Sequence, residues 1–119
     1  MRIAPPEAPK TGYLFGKGVY FADQSGKSAP YCRPELSNGI ATFVLCEVAL
    51  GNQVVLQRPN CDADNLPSGY HSTKAEGRIF PDPSGNQTVF KDVVVPMGKG
   101  INDNTKYMGA NEYIVYNTN

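Results

Sequence analysis

Between Gly16 and Cys32 the chain reads Gly-Lys-Gly-Val-Tyr-Phe-Ala-Asp-Gln-Ser-Gly-Lys-Ser-Ala-Pro-Tyr-Cys, so two phenol rings (Tyr20, Tyr31), a hydroxyl (Ser28) and a cation (Lys27) fall within one short stretch. Two rings and a hydroxyl suit a flat heterocycle that bears an amide, because the rings stack on its faces while the hydroxyl bonds its amide edge. Nicotinamide is one such group. Gly16 and Gly18 would let the backbone come close to a ligand or bend tightly. They do not make a phosphate loop, which needs a third glycine or a following Lys-Ser/Thr. The same residues also read as a core strand with buried tyrosines followed by a solvated helix. A carboxylate stands far down the chain: Glu112 opens the segment Asn111-Glu112-Tyr113-Ile114-Val115-Tyr116, where an acid at the head of a strand can project into a cleft.

The elements that must position these groups follow from local pattern. Val19, Tyr20 and Phe21 are strand formers, and Asp23 is a good helix N-cap, so the chain should leave a strand and turn into a helix here. On that helix Lys27 and Tyr31 share a face with Ser28 beside them. Gly26 and Pro30 keep it brief, and Pro34 with Ser37-Asn38-Gly39 ends the region. Ile40 to Leu50 is the most apolar run, and its length and β-branched content predict a central strand covered on both faces, with a buried helix as the alternative. Glu47 interrupts it, read as a hydrogen-bonding or edge residue rather than a catalytic one.

Gly51-Asn52 predicts a turn and Gln53 to Leu56 the strand that completes a hairpin. Asn60 to Lys74 reads as a surface loop in which His71 has packing or hydrogen-bonding duties, with general-base chemistry the lesser alternative. Arg78 to Phe80 and Gln87 to Phe90 read as short strands flanking the turn cluster Pro81-Asp82-Pro83-Ser84-Gly85, and Val93-Val94-Val95 as another. Gly98 to Lys106 reads as a loop at a cleft entrance. In the final strand, alternation puts Glu112, Ile114 and Tyr116 on one face.

Composition narrows the classes of function. The 119 residues amount to one domain or less, and 11 Lys and Arg against 11 Asp and Glu leave no net charge to grip nucleic acid or an anionic membrane. No apolar run approaches the ~18 residues of a membrane span. Three cysteines, Cys32, Cys46 and Cys61, with His71 as the one histidine, argue against a zinc site and fit a reducing, intracellular compartment. The opening Met-Arg-Ile-Ala-Pro-Pro-Glu lacks the apolar core of a secretory signal, and Pro5, Pro6 and Pro9 predict an extended, irregular lead-in. Arg2 within it could reach a phosphate or carboxylate bidentately, or be simply solvated.

Taken together, Gly-Lys-Gly-Val-Tyr-Phe-Ala-Asp, Lys-Ser-Ala-Pro-Tyr-Cys and Asn-Glu-Tyr-Ile-Val-Tyr resemble the catalytic ADP-ribosyltransferase domain of the poly(ADP-ribose) polymerases. Arg-Ile-Ala-Pro-Pro-Glu-Ala-Pro and Cys-Glu-Val-Ala-Leu-Gly-Asn match as well, so the resemblance covers essentially the whole chain. It implies an α+β fold, predominantly antiparallel β-sheet with one short helix, forming part of an ADP-ribosyltransferase fold. It also implies the reaction: cleavage of the glycosidic bond of NAD and transfer of ADP-ribose to a protein side chain or a growing ADP-ribose chain, with NAD as substrate and no metal.

By the same resemblance Tyr20 and Tyr31 flank the nicotinamide ring, Ser28 bonds its carboxamide, and Arg2 lies on the adenosine side. Lys27 stands beside the catalytic acid, Glu112, and Gly18 and Ala22 belong to the residues around NAD. A glutamate here goes with members able to elongate polymers. Of the family's His-Tyr-Glu triad only Tyr20 and Glu112 have counterparts, since the His-Gly-Ser strand, the helical regulatory region and the closing strand match nothing in residues 1–119, and His71 lies in the wrong place to substitute. The expectation is therefore a carboxyl-terminal portion of the catalytic domain, largely inactive alone. The alternative is a non-catalytic fragment or pseudoenzyme that binds NAD or nicotinamide and needs a complementary chain. Ala110 stands where relatives often carry tyrosine, and Leu14 where methionine is frequent, both near the acceptor site. Nuclear residence is a family expectation, with no basic cluster of its own here.

Overall fold

The computed structural model describes residues 3–117. Its main sheet has four strands: β1 (Val19–Phe21), β2 (Gln53–Leu56), β3 (Ser72–Ala75) and, last in the chain, a strand over Glu112–Val115, in the spatial order β1, terminal strand, β3, β2. A three-stranded sheet is built from β4 (Gly77–Pro81), β7 (Gly100–Asn102) and β8 (Met108–Ala110), with β4 in the middle. Between these in sequence, β5 (Gln87–Val89) and β6 (Val93–Val95) form a separate antiparallel pair, and the terminal strand is numbered β9. The pairings β1–β9, β3–β9, β4–β7 and β5–β6 are antiparallel, whereas β2–β3 and β4–β8 are parallel. With a single α-turn, α1 (Ser25–Ser28), this is the expected α+β fold, mostly antiparallel.

The terminal strand β9 is central because both of its neighbours need it. Val19, Tyr20 and Phe21 pair with Val115, Ile114 and Tyr113 on one side, and Ser72 to Ala75 pair with Val115 to Glu112 on the other. Alternation along β9 buries Glu112 and Ile114 and leaves Tyr113 and Val115 half-covered, as the period of two requires. The core beneath is small: Phe15, Ala63, Ala75, Met108 and Ile114, with Tyr20, Leu56 and Tyr116 packed around it.

Two phenols lock the chain segment that leads into β1. The Tyr20 hydroxyl accepts from the Phe15 N–H (3.0 Å) and donates to the Gly16 carbonyl (2.7 Å), while the Tyr116 hydroxyl donates to the Phe15 carbonyl (2.7 Å). Lys17, buried, donates from Nζ to the carbonyls of Pro5 (2.8 Å) and Pro6 (2.6 Å), which ties the irregular proline lead-in to the body of the fold.

Several expectations fail, each for a non-local reason. Ile40 to Leu50 forms no strand: it carries no ladder among the described residues, and Ile40, Phe43, Val44 and Leu45 are exposed. Glu47 within it is exposed too. Apolar β-branched content favours a strand only when a neighbour supplies the hydrogen bonds and the cover. Gln53 to Leu56 is a strand as predicted, but the hairpin that was to join it to Ile40–Leu50 through Gly51-Asn52 is absent. Gly51 takes φ +56, the Asn52 N–H donates to His71 Nδ1 (3.1 Å), the His71 N–H donates to the Asn52 carbonyl (2.8 Å), and the Ser72 hydroxyl donates to the Leu50 carbonyl (2.7 Å).

Those bonds align β2 with β3 in parallel register. His71 thus has the hydrogen-bonding duty expected of it. The stretch from Asn60 to Lys74 is not wholly a surface loop, since Ala63 joins the core and Ser72 begins β3. Gly98 to Lys106 is likewise not all loop: β7 pairs with β4. Asp23 does not cap α1. Gln24 holds the cap position in extended conformation with no side-chain bond, and the Asp23 carboxylate turns instead to donors beside β9.

Candidate active site

At the end of β1 the chain turns through Ala22 and Asp23 into α1, a single turn whose axis continues as a 3-10 segment over Ala29–Cys32. This turn carries Lys27 and Ser28, the 3-10 segment carries Tyr31, and the head of β9 brings Glu112 to within ion-pair distance of Lys27. One cavity of about 450 Å³ results, lined by Tyr20, Phe21, Ala22, Lys27, Ser28, Tyr31 and Glu112 together with Gly12, Tyr13 and Leu14. Its size falls in the range of small-molecule clefts.

Glu112 is 6 % exposed, and its Oε1 forms an ion pair with Lys27 Nζ at 2.7 Å. A carboxylate buried without a partner is strongly unfavourable, so the ammonium on α1 is what allows the acid to sit at the cavity floor. Tyr20 contributes its ring rather than its proton. Both hydrogen-bonding functions of its hydroxyl are engaged by the Phe15–Gly16 backbone, and burial above all pushes the phenol up to about 12. Tyr31, at 77 % exposure, stands at the cavity rim.

The structure therefore brings together Tyr20, Ala22, Lys27, Ser28, Tyr31 and Glu112, six of the positions singled out from sequence. Gly18 is elsewhere: a side chain there would overlap Ile114 of β9, so this glycine serves close strand packing and does not line the cavity. Arg2 lies outside the described residues. Tyr13 and Phe21 also line the cavity, although the sequence marks Phe21 only as a strand former and gives Tyr13 no role. Tyr13 sits 6.4 Å from Tyr20, ring to ring, at 43°. An aromatic residue directly after a glycine and three residues ahead of Gly16 was the available signal. Ala110, with Gln24, Gly26, Ile79 and Gly109, lines a neighbouring cavity of about 340 Å³ that shares Lys27 with the first.

Chemically, the first cavity offers aromatic faces for a flat ring, a hydroxyl for an amide edge, and a lysine-paired carboxylate at its floor. A carboxylate so held can stabilise positive charge that develops on a bound sugar.

The family model described as the poly(ADP-ribose) polymerase catalytic domain matches residues 1–119. Among curated proteins, the chain is 51 % identical to poly(ADP-ribose) polymerase 2 of Arabidopsis thaliana over 98 % of its own length and 19 % of that relative's. It is 48 % identical to poly(ADP-ribose) polymerase 1 of Danio rerio, covering 98 % of this chain and 12 % of the relative. Identity to poly(ADP-ribose) polymerase 2-A of Oryza sativa subsp. japonica is 48 %, over 98 % of this chain and 18 % of that protein. The chain thus spans a fifth or less of the length of these relatives.

Proposed function

This chain belongs to the poly(ADP-ribose) polymerase catalytic-domain family, and from that membership we propose that it supplies the nicotinamide end of an active site that cleaves NAD and transfers ADP-ribose to a protein side chain or to a growing ADP-ribose chain. The observation that carries this reading is the convergence of Tyr20, Ser28, Tyr31, Lys27 and Glu112 on one cavity, with the acid buried and paired to Lys27 at 2.7 Å.

In this reading the rings of Tyr20 and Tyr31 hold the nicotinamide plane and the Ser28 hydroxyl bonds its carboxamide. Glu112 accepts a hydrogen bond from the adjoining ribose and orients the attacking acceptor hydroxyl. As the bond to nicotinamide breaks, positive charge grows on the ribose, and a fixed carboxylate stabilises that charge more than it stabilises the neutral ground state. Lys27 holds the Glu112 carboxylate in place. Tyr20 takes no part in proton transfer, because its phenol is bonded to backbone. Arg2 is the proposed contact to the adenosine side. Leu14 and Ala110, a cavity wall and its neighbour, are the positions proposed to set the acceptor preference.

We further infer that residues 1–119 are a carboxyl-terminal portion of a larger catalytic domain and that this piece alone turns over little NAD. The length of the relatives and the uncovered apolar run from Ile40 to Leu50 support this. The test is nicotinamide release from NAD by the full-length protein. Glu112→Gln keeps the shape and removes the charge, and should lower kcat by roughly 10²–10³-fold, as loss of a dedicated transition-state group does. Turnover by this variant close to wild type would remove Glu112 from the mechanism.

A further inference from the structure

Glu112 is the first residue of β9 and is laddered on one side only. It pairs with Ala75 of β3, but β1 ends opposite Tyr113, where Phe21 is the last partner. The position that must aim the acid is therefore the least restrained on its strand. The restraint on the open side comes from Asp23, just past the end of β1. Its Oδ2 accepts from Asn111 Nδ2 (2.8 Å) and from the Tyr113 hydroxyl (2.9 Å), the side chains immediately before and after Glu112.

Because successive side chains alternate, Asn111 and Tyr113 project from the face opposite Glu112, and two bonds converging on one oxygen hold the pleat from behind. Asn111 is anchored a second time, its Oδ1 accepting from the buried Gly77 N–H at 2.9 Å. Asp23 Oδ1 is buried and accepts from no described group. A buried carboxylate oxygen left without a donor costs stability, and a local cost of this kind is characteristic of positions retained for function.

We propose that Asp23 is a positioning residue for Glu112, fixing the direction of the acid toward Lys27 and the cavity through Asn111 and Tyr113. The inference rests on the proposed role of Glu112 and reaches beyond it, to a carboxylate that touches neither substrate nor the acid itself.

Two measurements test it. In the 119-residue chain, nuclear Overhauser contacts between the Lys27 side chain and the Glu112 side chain should weaken at least about threefold in Asp23→Ala and persist in Asp23→Asn, whose amide oxygen can still accept from both donors. In the full-length protein, Asp23→Ala should lower kcat for nicotinamide release by about tenfold or more while KM for NAD stays within about twofold, as expected when a reacting group is misaimed but binding is kept. Asp23→Asn should recover most of that loss.

Tyr113→Phe, which removes one of the two bonds and keeps the ring, should give a smaller loss in both readouts; it decides the matter if Asp23→Ala does not fold. Unchanged contacts in Asp23→Ala, or in Tyr113→Phe if the former is unfolded, would overturn the proposal, as would a rise in KM at constant kcat. A wild-type protein without NAD turnover would instead refute the functional reading, and the contact measurement alone would then decide the role of Asp23.

Discussion

Glu112, Lys27 and the tyrosines show how burial assigns roles among side chains of similar chemistry. Tyr20, Tyr113 and Tyr116 are all phenols with pKa raised above the ordinary value of 10, each chiefly by burial, and all three are engaged in hydrogen bonds. Tyr31 is open to solvent and presents its ring at the cavity rim. The raised phenols have a consequence for alkaline stability. Below about pH 10 a tyrosine is neutral in both folded and unfolded chains, so its contribution is complete. Above that, the unfolded chain releases the proton while folded Tyr20 keeps it up to about 12, so the folded state binds more protons and stability falls as pH rises through this window. Urea denaturation between about pH 9 and 12 should show this decline, with a shallower slope in Tyr20→Phe. Identical slopes in the two proteins would contradict it.

Strand neighbours, more than strand composition, decide which elements form. Val19–Phe21 and Glu112–Val115 are legible from their β-branched and aromatic residues and are found as expected. Ile40 to Leu50, the most apolar run, has no ladder, while Ser72–Ala75, with serine, threonine, lysine and alanine, is a buried interior strand because β2 and β9 flank it. Gly77 illustrates the demand for close approach. It begins β4 beside the parallel strand β8, and a Cβ there would overlap the Ala110 backbone, which has no flexible side chain to give way. Gly77→Ala should therefore destabilise the fold by roughly 1–3 kcal/mol or more, the usual cost of overpacking. The Gly77 N–H bond to Asn111 would be displaced with it. A denaturation midpoint equal to wild type would show that β4 and β8 can separate freely.

Considered as one body, the chain is loosely closed. Its accessible surface of 8432 Å² exceeds by about a third the roughly 6,300 Å² expected of a compact monomer of this mass. Its radius of gyration, 15.0 Å, likewise exceeds the roughly 13.5 Å of a compact domain. Large apolar side chains contribute to this surface: Val44 and Leu45, the latter 99 % exposed, stand with Ile40 and Phe43 in a run that nothing described covers. Exposed apolar side chains clustered along the chain in this way favour association. Sedimentation velocity on the 119-residue chain should show concentration-dependent assembly, shifted toward monomer by Val44→Asp together with Leu45→Asp. A monomer at all concentrations would argue that the run folds onto the body of the protein.

The identities of Tyr20, Ser28, Lys27, Tyr31 and Glu112, and the strands that begin and end the main sheet, could be read from local sequence because motif residues and β-branched clusters are short-range signals. What required the folded chain was everything that depends on a partner distant in sequence. Asp23 turned from a helix cap into an acceptor for Asn111, 88 residues away, because two donors held near a buried edge outweigh one cap bond on a four-residue helix. The parallel register of β2 on β3 and the exposure of the most apolar run were decided the same way. Hydrogen bonds and cover are supplied by whichever segments meet in space, and a linear pattern names the candidates for such meetings without choosing among them.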